Sequence, residues 1–206
     1  MNVTYFSVGG LGTNCYIVSD DSGRAAIIDP GGDAQRILDA VQVNNLTVDY
    51  ILLTHAHFDH IMAVEELSEA MGAQILVGAG DAPMLYDAQL NLSAMVFPSQ
   101  AVEVTAHRLL FDRETIHIGN TELTVMETPG HTRGSVCYVG DGVLFSGDTL
   151  FAGSIGRTDL PGGDMSVLRR SLARLASLDG DLTVYPGHGE ETTLAFEKEA
   201  NPYLVF

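Results

Sequence analysis

Apolar positions along the first 80 residues fall into two alternating patterns. Val3 to Val8, Cys15 to Ser19, Ala25 to Ile28, Tyr50 to Thr54 and Gln74 to Val77 are short apolar runs of strand length. Between them, Asp33 to Val43 and Ile61 to Met71 repeat their apolar residues at helical spacing. The pattern predicts a first α/β half. From Thr115 onward strands are expected at Thr115 to Ile118, Leu123 to Glu127, Ser135 to Val139 and Val143 to Ser146, linked by Gly119-Asn120 and Asp141-Gly142. Asp-Gly is strong two-residue hairpin chemistry. Met165 to Ala176 places Leu168, Leu172 and Leu175 on one helical face after Asp164 as N-cap, Leu182 to Tyr185 returns as a strand, and Glu190 to Glu199 reads as an acidic helix. The two halves are expected to stack as an αββα sandwich of the α/β class. Asp81 to Gln100, rich in Met, Leu, Pro and Ser, reads as a small helical insertion that walls a substrate pocket.

Length and composition narrow the picture further. With 206 residues, 46% of them hydrophobic, residues 1–206 suffice for one domain with a full core. Neither a basic, apolar leader nor a run of membrane-spanning length is present, so a cytoplasmic location is the expectation. Cys15 and Cys137 lie in apolar strand-like segments and are read as buried free thiols. A net charge of −17, with one lysine against nine arginines, argues against nucleic acid and acidic membrane surfaces as partners. An anionic substrate would depend on bound metal and on a few arginines, Arg157 first and Arg133 second.

Chemistry concentrates directly after the apolar run Tyr50 to Leu53. His55, His57, Asp59 and His60 fall within six residues. Imidazoles one residue apart at a strand end project to the same side and can grip one ion. The chain then turns toward a helix, so Asp59 and His60 emerge in another direction and can serve a second ion. Further along, His131, Asp148 and His188 each follow a strand-like run and a glycine. Two ions roughly 3.5–4 Å apart need a bridging anion, and Asp148 is the natural carboxylate for it. His107 and His117 have no such setting and are read as structural. Asp29, in Asp29-Pro30-Gly31-Gly32, is either turn chemistry or a support for the metal loop. Gly31-Gly32 lacks the residues of a phosphate cradle and reads as a turn.

These motifs resemble those of metallo-β-lactamase-fold hydrolases, and within them the glyoxalase II-like group. The resemblance runs from Asn14 in Gly12-Thr13-Asn14-Cys15-Tyr16 to Asn201-Pro202-Tyr203. It implies that His55, His57 and His131 hold one metal, that Asp59, His60 and His188 hold the other, and that Asp148 bridges them. It also implies that Asp29 buttresses the metal loop and that Arg157, in Gly156-Arg157-Thr158-Asp159, serves the substrate. The residues after His188 do not resemble the C-terminal helical domain that holds glutathione in full-length glyoxalase II, so a short form is the expectation.

The chemistry expected is hydrolysis of a small, anionic acyl thioester of the S-lactoylglutathione kind by a metal-bridging hydroxide. Two divalent ions, zinc first and iron or manganese next, would lower the pKa of bound water toward 7. Asp59 would orient the nucleophile and carry its proton. The carboxylate at position 59 and the cytoplasmic expectation argue against a lactam substrate. Two other classes compete: a mononuclear iron persulfide dioxygenase using His57, His131 and Asp148, and a metal-stabilised interaction protein without catalysis. Oligomeric state is not legible.

Overall fold

The computed structural model describes residues 1–99 and 101–204. Its first sheet has the order β1 (Asn2–Val8), β2 (Thr13–Ser19), β3 (Arg24–Ile28), β4 (Thr47–Leu53), β5 (Gln74–Gly78) and β6 (Arg108–Leu110). The strands β1, β2 and β3 pair antiparallel, and β3 through β6 pair parallel. Helices α1 (Ala34–Val43), α2 (Phe58–Ile61) and α3 (Val64–Met71) belong to this half, followed by the short α4 (Ala82–Leu85) and α5 (Ser93–Val96). The second sheet contains β7 (Thr115–Ile118), β8 (Thr121–Glu127), β9 (Val136–Gly140), β10 (Val143–Gly147), β13 (Thr183–Pro186) and β14 (Thr192–Thr193). A small hairpin, β11 (Leu150–Phe151) and β12 (Ser154–Ile155), stands apart from it, and α6 (Met165–Ala176) and α7 (Leu194–Ala200) complete the elements.

Strand periodicity sorts the core into layers. Ile28, Leu52 and Leu76 face the second sheet and pack with Ile118, Val125, Tyr138 and Phe145. Their neighbours Ile27, Ile51, Leu53, Ile75 and Val77 point the other way, onto Ile37 and Val41 of α1 and Leu67 of α3. Successive strand side chains point to opposite faces, so a strand covered on both sides must be apolar at consecutive positions. On the outer face of the second sheet, Leu144 and Val184 meet Leu168, Leu172 and Leu175 of α6. The αββα expectation is met.

Several boundaries differ from expectation for identifiable reasons. The helix expected over Ile61 to Met71 is two helices, because the Ala63 N–H donates to the Pro30 carbonyl at 3.0 Å instead of continuing the helical ladder. Asp33 precedes α1 without capping it; its φ is 53°, and its carboxylate accepts the Gly9 N–H at 3.0 Å. The acidic helix begins only at Leu194, since Thr192–Thr193 pairs with β13 and Thr193 then caps α7. In the Asp81 to Gln100 insertion only four-residue helices form, and Gln100 lies outside the described residues. Asp164 caps α6 as expected, accepting the Ser166 and Val167 N–H groups. Cys15 and Cys137 are buried and free, and burial pushes the Cys137 thiol up to about 11.

Candidate metal centre

The seven predicted donors converge where strand ends of both sheets meet. His55, His57, Asp59 and His60 follow β4, His131 follows β8, Asp148 follows β10 and His188 follows β13. Donor atoms of His55, His57 and His131 lie within 4.8 Å of one another, and so do those of Asp59, His60 and His188. Asp148 stands between these groups. One of its carboxylate oxygens is 3.5 Å from His60 Nε2, and the other is 3.6 Å from His131 Nε2 and 3.7 Å from His188 Nε2. Asp59 Oδ2 is 3.1 Å from His188 Nε2 and 3.6 Å from His60 Nε2.

The surrounding hydrogen bonds fix which ring nitrogen carries a proton. Asp29 Oδ2 accepts from His60 Nδ1 at 2.9 Å and from the Thr54 hydroxyl at 2.5 Å, while Asp29 Oδ1 accepts the Thr54 N–H at 2.8 Å. With its proton given to Asp29, Thr54 Oγ1 accepts from His55 Nδ1 at 3.1 Å. The Arg157 carbonyl accepts from His131 Nδ1 at 2.7 Å. These bonds occupy the Nδ1 side of His55, His60 and His131 and leave their Nε2 atoms directed into the centre, where His131 Nε2 faces His57 Nδ1 at 2.9 Å.

Among the described residues, the buried side-chain atoms without a hydrogen-bond partner are Nε2 of His55, His57 and His60 and Oδ1 of Asp148. A buried polar atom left unpaired costs about 1–3 kcal/mol. Four in one cluster, each able to offer a lone pair once unprotonated, fit a divalent cation shell. Electrostatics agree. Burial lowers His57 to about 3, with His131 adding to it, and burial followed by the neighbouring imidazoles holds His55 well below its ordinary value. For Asp59 and Asp148 burial is the largest influence and favours the neutral acid, yet His60, His188 and the neighbouring hydrogen bonds together outweigh it and both carboxyls sit below the usual range. His60 is raised against its burial by Asp29, Asp148 and Asp59, and His188 by Asp59 and Asp148. The cluster neutralises itself through protons that divalent ions would displace.

Other predicted residues divide by location. Asp29 stands in a turn at φ 51°, and its carboxylate also accepts from Thr54 and His60 beside the candidate donors. Gly31 is a close-approach glycine: a Cβ there would overlap the Asp59 carbonyl. Arg157 lines the cavity above the donors, but its guanidinium holds Asp159 in a two-pronged contact at 2.6 and 2.8 Å. Arg133 lines a separate depression with Gly162 and Asp164. His107 accepts the Ile75 N–H, and His117 is exposed beside Glu122, so neither belongs to the centre.

Sequence reasoning missed four supports. The Thr13 hydroxyl donates to Asp59 at 3.1 Å. Thr54 relays Asp29 to His55. Buried Asp81 accepts from the Ala56 N–H, the Thr132 hydroxyl and the Gly134 N–H, tying the His55–His57 loop to the His131 loop. Glu197 accepts from the Gly153 N–H, and Asn201 donates to the Ser154 carbonyl, so α7 holds the β11–β12 hairpin over the cavity. Asp81 lies three residues beyond the end of β5, much as the metal loop follows β4, and that position past a strand end was the available signal.

Two sheets between helices, with a histidine and aspartate cluster across their strand ends, define an αββα fold of the metal-binding hydrolase class. The chain belongs to the metallo-beta-lactamase superfamily, whose family model matches residues 8–188. It is 41% identical over 205 residues to the probable metallo-hydrolase YqgX of Bacillus subtilis, covering 96% of this chain and 94% of that protein. It is 34% identical over 209 residues to the hydroxyacylglutathione hydrolase GloC of Haemophilus influenzae, covering 99% and 98%. Among solved structures, BLEG-1, described as a B3 metallo-beta-lactamase, matches at TM-score 0.94 and 37% identity over 100% of both chains. TTHA1623 in a di-iron-bound form matches at TM-score 0.87 and 37% identity, over 98% of this chain and 100% of that one. The glyoxalase II-like resemblance read from the motifs is therefore met at the level of the family. No helix among the described residues is long and apolar enough to cross a membrane.

Proposed function

We propose that the protein is a binuclear metal-dependent hydrolase of small acyl thioesters. The reading rests on the position of Asp148, whose two oxygens lie between both donor groups at the floor of an open cavity. His55, His57 and His131 would hold one divalent ion, Asp59, His60 and His188 a second, and Asp148 would serve both. Zinc is the first candidate, and the same donors suit iron or manganese. Such a pair supplies a water of lowered pKa and a Lewis acid for the carbonyl.

The chain's own residues do the rest. Asp59, kept ionised by His60 and His188 and steadied by Thr13, accepts the proton released during attack. Among the described residues the ionisable side chains lining the cavity are Asp59, Asp148, three histidines and Arg157, with no lysine, glutamate or tyrosine to protonate a leaving group. A thiolate departs without such help far more readily than an amine. That favours a thioester, and the likeness to GloC supports the same class. An anionic arm of the substrate would meet Arg157, at the expense of the Asp159 pair.

Hydrolysis of S-D-lactoylglutathione by zinc-loaded protein, followed by loss of thioester absorbance, tests the reading beside Asp59→Asn. Turnover in the wild type that is lost in the variant is the expected result. Failure on every small thioester, with hydrolysis of a β-lactam or oxygen uptake on a persulfide instead, would overturn it.

A further inference from the structure

The walls of the cavity above the metal centre are mostly hydrocarbon. The space measures about 780 Å³. Phe58, Leu92, Val96, Phe151, Ile155 and Leu160 line it, together with candidate donors and, as further polar residues, Ser154 and Arg157. A second cavity of about 240 Å³ opens beside it and shares Leu11, Phe58, Asp59 and Val96. Its remaining wall includes Val8, Met62 and Phe97. At the rim, Leu11 is 61% exposed and Met95 71% exposed. Apolar side chains exposed at the rim and continuous with an apolar cavity mark a groove suited to an apolar ligand.

Charge argues in the same direction. Among the described residues Arg157 is the only lysine or arginine lining either cavity, and its guanidinium is already bound by the Asp159 carboxylate. The chain carries a net charge of −17, a field that slows the approach of an anion. Recognition through a charged peptide-like thiol would need free cations at the mouth, whereas recognition through an apolar acyl group needs what these walls offer.

From this lining we infer that the enzyme selects its substrate by an apolar acyl chain, which lies against Leu11, Phe58 and Val96 while the thioester carbonyl sits at the metal centre. The inference rests on the thioester reading above and narrows its substrate class from short hydroxyacyl groups to longer, uncharged ones. Burying a methylene is worth a factor of about three to four in binding, so the preference shows as a slope along a chain-length series.

The experiment measures kcat/KM of zinc-loaded protein on acetyl, butyryl, hexanoyl and octanoyl thioesters of N-acetylcysteamine, with S-D-lactoylglutathione alongside. Calorimetric binding of S-ethyl- and S-hexyl-N-acetylcysteamine thioethers gives a readout independent of turnover. A rise in kcat/KM of about threefold per methylene, tighter binding of the hexyl than the ethyl thioether, and a flatter series in Leu11→Gln are expected. Good turnover of lactoylglutathione with a flat or falling acyl series would overturn this inference and leave the thioesterase reading intact. No turnover of any thioester, with the hexyl preference still present in binding, would overturn the thioesterase reading and support the apolar subsite. Loss of both would overturn both.

Discussion

The Thr54 hydroxyl donates to Asp29 at 2.5 Å, and through that bond a carboxylate on one strand end sets the tautomer of a histidine on the next. The same Asp29 oxygen accepts from His60 at 2.9 Å, so one buried acid orients an imidazole in each donor group. Groups that orient metal-binding histidines in this way are typically worth about 10–100-fold in metal affinity. Asp29→Asn is expected to weaken zinc binding by that factor, and Thr54→Val to weaken it in the same direction. Competition with a chelating dye measures both. Unchanged affinity in Asp29→Asn would refute the relay.

Gly187 marks a place with no room for a side chain. A Cβ there would press on Asp148 Oδ1 and lie 2.9 Å from His60 Cε1. Gly187→Ala is expected to keep the circular dichroism of the wild type while losing bound metal and about 100-fold in turnover, because displacing a reacting group by about 1 Å costs on that scale. Metal analysis after desalting, paired with rate measurements, checks it.

Glu197 is fully buried and accepts the Gly153 N–H at 2.9 Å, the Thr192 hydroxyl at 2.7 Å and the Asn201 amide at 2.7 Å. Glu197→Ala strands these donors. It is expected to cost about 3 kcal/mol, a fall in Tm on the order of 10 °C. Released from α7, the β11–β12 hairpin should also raise KM through Phe151 and Ile155 at the cavity wall. Thermal melts and steady-state kinetics separate the two effects.

Asp20 joins two turns. Its carboxylate accepts from the Ser22 hydroxyl and N–H, the Arg24 N–H and the Asn120 N–H, and these bonds, Ser22 foremost, lower its pKa to about 2. A carboxyl lowered by folding contributes stability that is complete above its unfolded value of about 3.9 and fades as the pH falls through about 2. Asp20→Ala should therefore melt below the wild type at pH 6, with the gap closing between pH 4 and 2. A gap that does not change with pH would refute the assignment.

Much of the fold was legible because strand periodicity and layer assignment are the same information. Ile27, Ile28, Ile51 and Leu52 read as continuous apolar runs, and each run is covered on both faces. The donors were legible because histidine and aspartate clustered after such runs have few structural explanations. What escaped was set by contacts distant in sequence. The break after Ile61 depends on the Pro30 carbonyl, the late start of α7 on pairing with β13, and the role of Asp81 on loops that meet only in the folded chain. Arg157 was singled out for its charge, yet its backbone carbonyl orients His131 while its guanidinium is occupied by Asp159.

Four candidate donors follow β4 in one sheet, and three follow strands of the other. A bound ion pair would therefore act as a rivet through the sandwich, cross-linking the chain from residue 55 to residue 188. Separating the sheets and releasing the ions become one event, so resistance to unfolding should rise with the logarithm of free metal concentration. For such a protein a chelator acts as a denaturant, and the amount of folded enzyme in a cell becomes a readout of its metal supply.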